Sequence, residues 1–404
     1  MTIEAGARPL DAPRFHLSPA RVVPAAAILI GLGIAAYAVH GPGRGTALSI
    51  SLVFGAIFGI TLQRARFCFF CNYRDWFDSG DARGLIGIVV ALAVSLLGYT
   101  LVFGAWLPDA MTGRLPPDAF IGPVGPALVL AGLVFGAGMS ISGSCVSAHL
   151  YRLGEGSPTA PFALVGTIAG FILGFLTWNS LYLPMIQQAP VVWLPGWLGY
   201  AGALVLALAV LGGIAWLLTL RGRRGIAPVT ISGDPLHRIF IARWPAWIGG
   251  MIVGVLGAAS YLRVAPLGVT AELSARARQL GDVIGVMPLR LEGLDTLRGC
   301  VSLVRDAALS PNGAFVIAMV VASFAAALVA DQFKPAWPTR GQLLRGLGGG
   351  VLLGFGAMIG LGCTIGTLLS GIGAGALSGW VFGAAVFVGV GVTLKFGRTI
   401  GITA

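Results

Sequence analysis

Ten stretches of this chain are apolar for long enough to approach or meet the span of a bilayer. No water-soluble fold could cover that many. A spanning helix needs about 20 mainly apolar residues, and the runs are 22–39, 47–62, 84–106, 124–143, 158–180, 198–220, 244–261, 312–330, 346–361 and 370–394. Charged residues make up only 10% of the 404, against roughly 25% in an average soluble protein. A soluble domain of this size needs far more polar surface over its core, so the mean hydropathy of +0.89 points to lipid as the solvent. A disordered chain and a disulfide scaffold are excluded, and five cysteines give an odd count with no regular framework. The net charge of +11 is spread between the apolar runs and not gathered in a patch. It therefore reads as orientation charge, with a lipid bilayer and not a nucleic acid as partner. The expected fold is an all-α polytopic membrane protein of about ten hydrophobic helical segments, with no cofactor.

Run 22–39 follows Arg8, Arg14 and Arg21. It precedes many further spans and has no convincing cleavage site, so it reads as a first helix and not a signal peptide. Runs 47–62 and 346–361 are short and glycine-rich, as re-entrant or discontinuous helices are. Segment 221–243 carries Arg221, Arg223, Arg224, Arg238 and Arg243, which assigns it to the cytoplasm. Segment 181–197 has neither Lys nor Arg and falls outside. Counting spans then puts 63–83, 331–345 and both termini inside, and leaves 263–310 outside with six arginines and five acids. The expected organisation is a tail and first helix (1–46), a first half with a connecting helix (47–220), a linker (221–243) and a second half (244–404).

The cysteines mark an internal repeat. Cys145 is preceded by Gly132, Gly136 and Gly138, and Cys363 by Gly350, Gly354 and Gly356, at the same offsets of −13, −9 and −7. Cys68 has Gly55 and Gly59 at the first two offsets, and Gly250 and Gly254 open a fourth copy in which Arg263 stands at the cysteine position. Glycines four apart share a helix face and allow close contact. With the loop charges, the spacing implies halves inverted about an axis in the membrane plane, the architecture of transporters whose site lies where broken helices meet.

None of the apolar cores holds Asp, Glu, Lys or Arg, which argues against a carboxylate proton relay. Thiols and hydroxyls stand at the ends of the glycine-rich runs: Cys68, then Ser142, Ser144, Cys145 and Ser147, then Cys363 and Thr364. These are uncharged donors, and helix breaks beside them expose N–H groups and positive dipole ends that favour an anion. A polarizable sulfur anion passed from Cys363 through Cys145 to Cys68 would meet only weak stations, consistent with no cation standing there. Secondary candidates are Arg66, Ser144, His149, Thr364 and Arg263. Cys71 and Cys300 lack the glycine offset and are expected to tolerate serine. Cys68 and Cys71 also form a C-x-x-C pair, which leaves a membrane thiol–disulfide oxidoreductase as an alternative, and a pore for a selenium species or another anion as a second. Arg74 and Asp75 read as an interfacial ion pair.

Four ordered motifs carry a family resemblance over nearly all of 47–404. Gln63-Arg64-Ala65-Arg66-Phe67-Cys68 with Arg74-Asp75 resembles the first signature of the YeeE/YedE family of sulfur-transport membrane proteins. Gly143-Ser144-Cys145-Val146-Ser147-Ala148-His149, continuing to Gly154-Glu155-Gly156-Ser157, is similar to its second. Pro266-Leu267-Gly268-Val269-Thr270 and Gly360-Leu361-Gly362-Cys363-Thr364-Ile365-Gly366 resemble the motifs of the second half. The resemblance implies a multi-pass inner-membrane importer of thiosulfate, not an enzyme. It also implies an hourglass-like helical fold with cysteines along the route, and a cytoplasmic sulfur-carrier protein as frequent partner. The chain departs from the pattern in Gly-Ser-Cys-Val-Ser around Cys145, in Cys71, and in the extended loop holding Cys300.

Overall fold

A computed structural model of the chain describes residues 18–222, 235–301 and 309–401. Arg8, Arg14, Arg223 and Arg224 lie outside the described residues, as do parts of the linker 221–243 and the loop 263–310. Among the described residues, ten helices are long and apolar enough to cross a membrane, and the protein is an all-α multi-pass membrane protein.

The helices are α1 (Pro19–Ala38), α2 (Arg44–Ala65), α3 (Phe69–Ser79), α4 (Arg83–Trp106), α5 (Pro126–Ser142), α6 (Val146–Gly154), α7 (Ala160–Met185) and α8 (Pro195–Arg221). After the six-residue α9 (Pro235–Phe240) come α10 (Ala246–Arg263), α11 (Thr270–Val283), α12 (Pro311–Val329) and α13 (Arg340–Ile359). A π-helical segment (Thr364–Ser370), the single turn α14 (Gly371–Gly373) and α15 (Leu377–Ile400) complete the chain. Local signals set several starts. Proline opens α5 and α12, Ser310 accepts the Gly313 N–H to cap α12, and Thr339 with Gln342 forms a capping box on α13.

The structure corrects three expectations. Runs 47–62 and 346–361 are parts of continuous helices of 22 and 20 residues, not re-entrant pieces. The broken elements are instead the short pieces after α2, α5 and α13, namely α3, α6 and the π segment. The last span starts at Leu377 and not at 370, because the π segment and α14 occupy the preceding residues. Loop 263–310 contains α11, whose buried Glu272 accepts from Ser310 and Arg276 and ties the helix to the start of α12.

Packing follows the glycines. A Cβ on Gly55 or Gly59 of α2 would strike the Phe315 or Met319 carbonyl of α12, and one on Gly250 or Gly254 of α10 would strike Gly87 or Ala91 of α4. Gly166 and Gly170 of α7 likewise meet Leu347 and Val351 of α13, and Gly132 and Gly136 of α5 meet Phe382 and Val386 of α15. Residue numbers rise together along each of these pairs, so all four are parallel. At the centre α5 and α13 run antiparallel, with Gly138 beside Gly349 and Gly356 beside Ala131.

These contacts set the cost of enlarging a glycine. Gly59→Leu drives a side chain into helix α12 and is expected to destabilise the protein by at least about 1–3 kcal/mol. Gly31→Ala, in α1 with nothing near its missing Cβ, should raise stability slightly or leave it unchanged. Thermal unfolding of the purified variants in detergent decides this. Equal melting temperatures would show that the α2–α12 contact does not hold the helices at this spacing.

Candidate functional site

Each of three junctions repeats one backbone device. The long helix ends in a left-handed residue two positions before the cysteine, and the cysteine takes the N-cap position of the short helix that follows. The left-handed residues are Arg66 (φ 48°), Gly143 (φ 81°) and Leu361 (φ 57°). Cys68, Cys145 and Cys363 stand at the N-cap positions of α3, α6 and the π segment. Only Gly143 adopts this region without steric cost; Arg66 and Leu361 are held there by their surroundings. The fourth junction lacks the device. Helix α10 ends at the exposed Arg263, and the next helix starts at Thr270 with Val269 as its cap. The cap position corresponding to Cys68 is therefore Val269 and not Arg263.

Two junctions converge. The Cys68 and Cys145 sulfurs lie 4.0 Å apart, both fully buried, so the N-termini of α3 and α6 meet at a sulfur pair. The Cys71 N–H donates to the Cys68 sulfur at 3.4 Å, and Ser147 Oγ lies 3.3 Å from the Cys145 sulfur. Cys363 stands apart. Ten helical residues separate Gly349, beside Ser142, from Ile359 at the Cys363 junction, which is about 15 Å at 1.5 Å per residue. Thr364, next to Cys363, is buried with a hydroxyl that has no partner among the described residues.

Arg152 overturns the expectation that no cation stands near the thiols. Its guanidinium donates from Nη1 to Ser144 Oγ at 2.6 Å and from Nη2 to the Cys71 sulfur at 3.2 Å. The residue sits on α6, seven positions after Cys145. That spacing returns it to the face of Cys145 and His149, and it was the signal available in the sequence. His149 is buried, with Nε2 3.1 Å from Ser142 Oγ and no partner for Nδ1 among the described residues. Arg74 and Asp75 pair at 2.9 Å, half-exposed. Cys300 lies inside the fold. It is fully buried, accepts from Thr270 Oγ1 at 3.2 Å, and its N–H donates to Leu361 O at 2.8 Å, so the extended loop docks on the Cys363 junction.

A family model described as sulphur transport matches residues 64–392. The chain belongs to the sulphur-transport family. The thiosulfate transporter TsuA of Spirochaeta thermophila is 27% identical over 349 residues, covering 83% of this chain and 94% of the relative. The thiosulfate transporter TsuA of Escherichia coli K12 is 26% identical over 354 residues, covering 84% and 91%. The probable transporter YedE of Salmonella typhimurium is 26% identical over 211 residues, about half of each chain (51% and 50%). The match takes in all three cysteine junctions.

Two outcomes follow from this geometry. Cys71→Ser keeps an acceptor for Arg152, whereas Cys71→Val leaves a half-buried guanidinium N–H without it, at a cost of up to about 1.5–3 kcal/mol for a charged group. Thermal unfolding should separate valine from serine by several degrees, and identical curves would dismiss the Arg152 contact.

The second outcome concerns Glu155, which follows α6 and accepts from Gln63 Nε2 at 3.3 Å. Burial holds its carboxyl above the usual carboxylate range, against the opposing pull of Arg66 and Arg152. The folded state then keeps a proton that the unfolded chain has released. Stability contributed here is intact below the usual carboxylate range and falls as pH rises through the folded value. Glu155→Gln retains an oxygen for Gln63 and should flatten that part of the melting-temperature profile; an unaltered slope would assign it to another group.

Proposed function

We propose that this protein is an inner-membrane importer of thiosulfate or a closely related sulfur anion. The observation that carries the reading is the Cys68–Cys145 sulfur pair at 4.0 Å, set where two helix N-termini converge. An anion at this point meets two positive dipole ends, two thiols and Ser147. Arg152 stands beside the pair, donating to the Cys71 sulfur at 3.2 Å. The match to two thiosulfate transporters over more than 80% of this chain supports thiosulfate as the substrate.

The route runs from Cys363 at the outer junction to Cys145 and Cys68 at the inner one. The roughly 15 Å between the junctions exceeds the size of the anion, so the ion leaves one station before it reaches the next. The symmetric pairings support the reading of inverted halves. Exchanging α2–α7 with α10–α15 maps the α2–α12 contact onto α10–α4 and the α7–α13 contact onto α15–α5. Delivery to a cytoplasmic sulfur-carrier protein fits release beside Arg152.

The test is uptake of labelled thiosulfate by cells lacking their own importers, with membrane levels of each variant checked. Cys145→Ala and Cys68→Ala remove a donor from the pair and are expected to lower uptake at least tenfold. Cys363→Ala should do the same from the outer side, and Cys145→Ser should retain part of the rate. Wild-type rates in all three alanine variants would sink the cysteine route. A wild-type chain that carries another sulfur anion but no thiosulfate would refute the substrate and leave the route standing.

A further inference from the structure

Helix α8 crosses from one half to the other and is tied to the bundle at both ends. At the start, Trp193 Nε1 donates to Ala374 O at 2.8 Å, and Tyr200 OH donates to Leu107 O at 2.7 Å. At the far end, a Cβ on Gly222 would rest 3.0 Å from the Ala82 methyl. Between these contacts Ala203, Ala207 and Leu211 of α8 are buried against the bundle, and a gap is left along the stretch from Leu211 to Arg221. The gap is a cavity of about 460 Å³ walled by α3, α4, α8, the π segment, α14 and α15. This lies within the roughly 300–1,000 Å³ of ordinary ligand pockets. Its α8 wall is open, with Ile214 at 40% and Leu217 at 44% exposure.

We propose that this cavity binds one acyl chain of an anionic phospholipid, with the headgroup held by Arg221. Three observations converge. Among the described lining residues Arg221 is the only charged side chain, and it lies at one end of an otherwise apolar wall. The acids of the adjoining turn are already paired, Asp75 with Arg74, Asp78 with Arg398 and Asp81 with Arg83, so they do not cancel its charge. The depth also fits. From Arg221 to Leu211 the α8 wall runs ten residues, about 15 Å, which is half of a hydrocarbon core of about 30 Å and so one leaflet. Trp76 and Trp380 stand in the wall, and an unfilled apolar space would forfeit the dispersion contacts of that whole surface. Leu368 and Ile372 form part of the wall too. The Leu368 N–H donates to Cys363 O, so a seated chain braces the segment that follows Cys363.

The experiment uses the full protein in phosphatidylcholine vesicles, titrated with phosphatidylglycerol whose acyl chains are brominated and quench tryptophan on contact. Wild-type protein should show a saturable quenching component at low phosphatidylglycerol, several-fold stronger than with brominated phosphatidylcholine. Trp380→Phe should lose much of that component. Arg221→Gln, at an exposed position and so without cost to folding, should bring the two lipids level. Ala384→Leu should remove the component by filling the cavity. Equal quenching by both lipids in the wild type would overturn the proposal, as would a component that survives Ala384→Leu. Displacement of phosphatidylglycerol by a neutral isoprenoid quinone at equimolar ratio would also overturn it, assigning the cavity to an uncharged ligand.

Discussion

Backbone that leaves its helical ladder inside a bilayer has no water to satisfy it, so every break must be wrapped by protein. The three cysteine junctions are such breaks, and the packing of the molecule serves to enclose them. Cys68, Cys145 and Cys363 are each at most 1% exposed. Around them the freed groups find partners inside the chain. Arg152 and Ser142 serve the Ser144 region, and Thr367 Oγ1 donates to Gly360 O. Enclosure on this scale requires long helices at very short spacing, which is where the glycines of α2, α5, α7, α10 and α13 act. With a methyl group at Gly55 or Gly250 the partner carbonyl would have to move, and the junctions would open to lipid.

Much of this was legible in the chain. Ten apolar runs became ten long helices, because in lipid the length of an apolar stretch leaves few alternatives. The offset of glycines before Cys68, Cys145 and Cys363 marked helices that do pack through those glycines. The short helices escaped. Residues 69–79 and 146–154 mix polar and apolar side chains, and 364–370 is too short to carry a period. Their existence follows from the left-handed turn before each, and that turn is visible in sequence only at Gly143. Nothing about Arg66 or Leu361 announces a positive φ, since the surrounding fold imposes it. The sulfur pair was equally hidden, because contact between residues 68 and 145 depends on how α3 and α6 are aimed. Helix α11 was missed because its charged residues made a membrane-side helix read as loop.

Arg152 is the instructive omission. Counting cations within apolar runs excluded it, since it belongs to a polar short helix beyond the run 124–143. Its partial burial comes from α6 being folded back against the bundle, where Ser144 and Cys71 occupy its donors. Apolar runs define where a membrane protein meets lipid and say little about what lies inside it.

The arrangement also bears on how an anion is released. A neutral hydrogen bond contributes about 0.5–1.5 kcal/mol net and one to a charged group about 1.5–3. On the proposed route the two thiols and Ser147 offer only the weaker kind, aided by two helix termini at about 0.3–1 kcal/mol each. The strong donor, Arg152, does not face an empty site, because Ser144 and Cys71 already accept from it. An anion drawing on that guanidinium must displace one of them, so the gain is the difference between two charge-assisted bonds and not the whole of one. Partial occupation of the cation by its own neighbours thus keeps the inner end attractive without making it a trap. The same logic explains why the contact is made to a thiol. Sulfur is the weaker acceptor, and the Cys71 bond is the one that yields first.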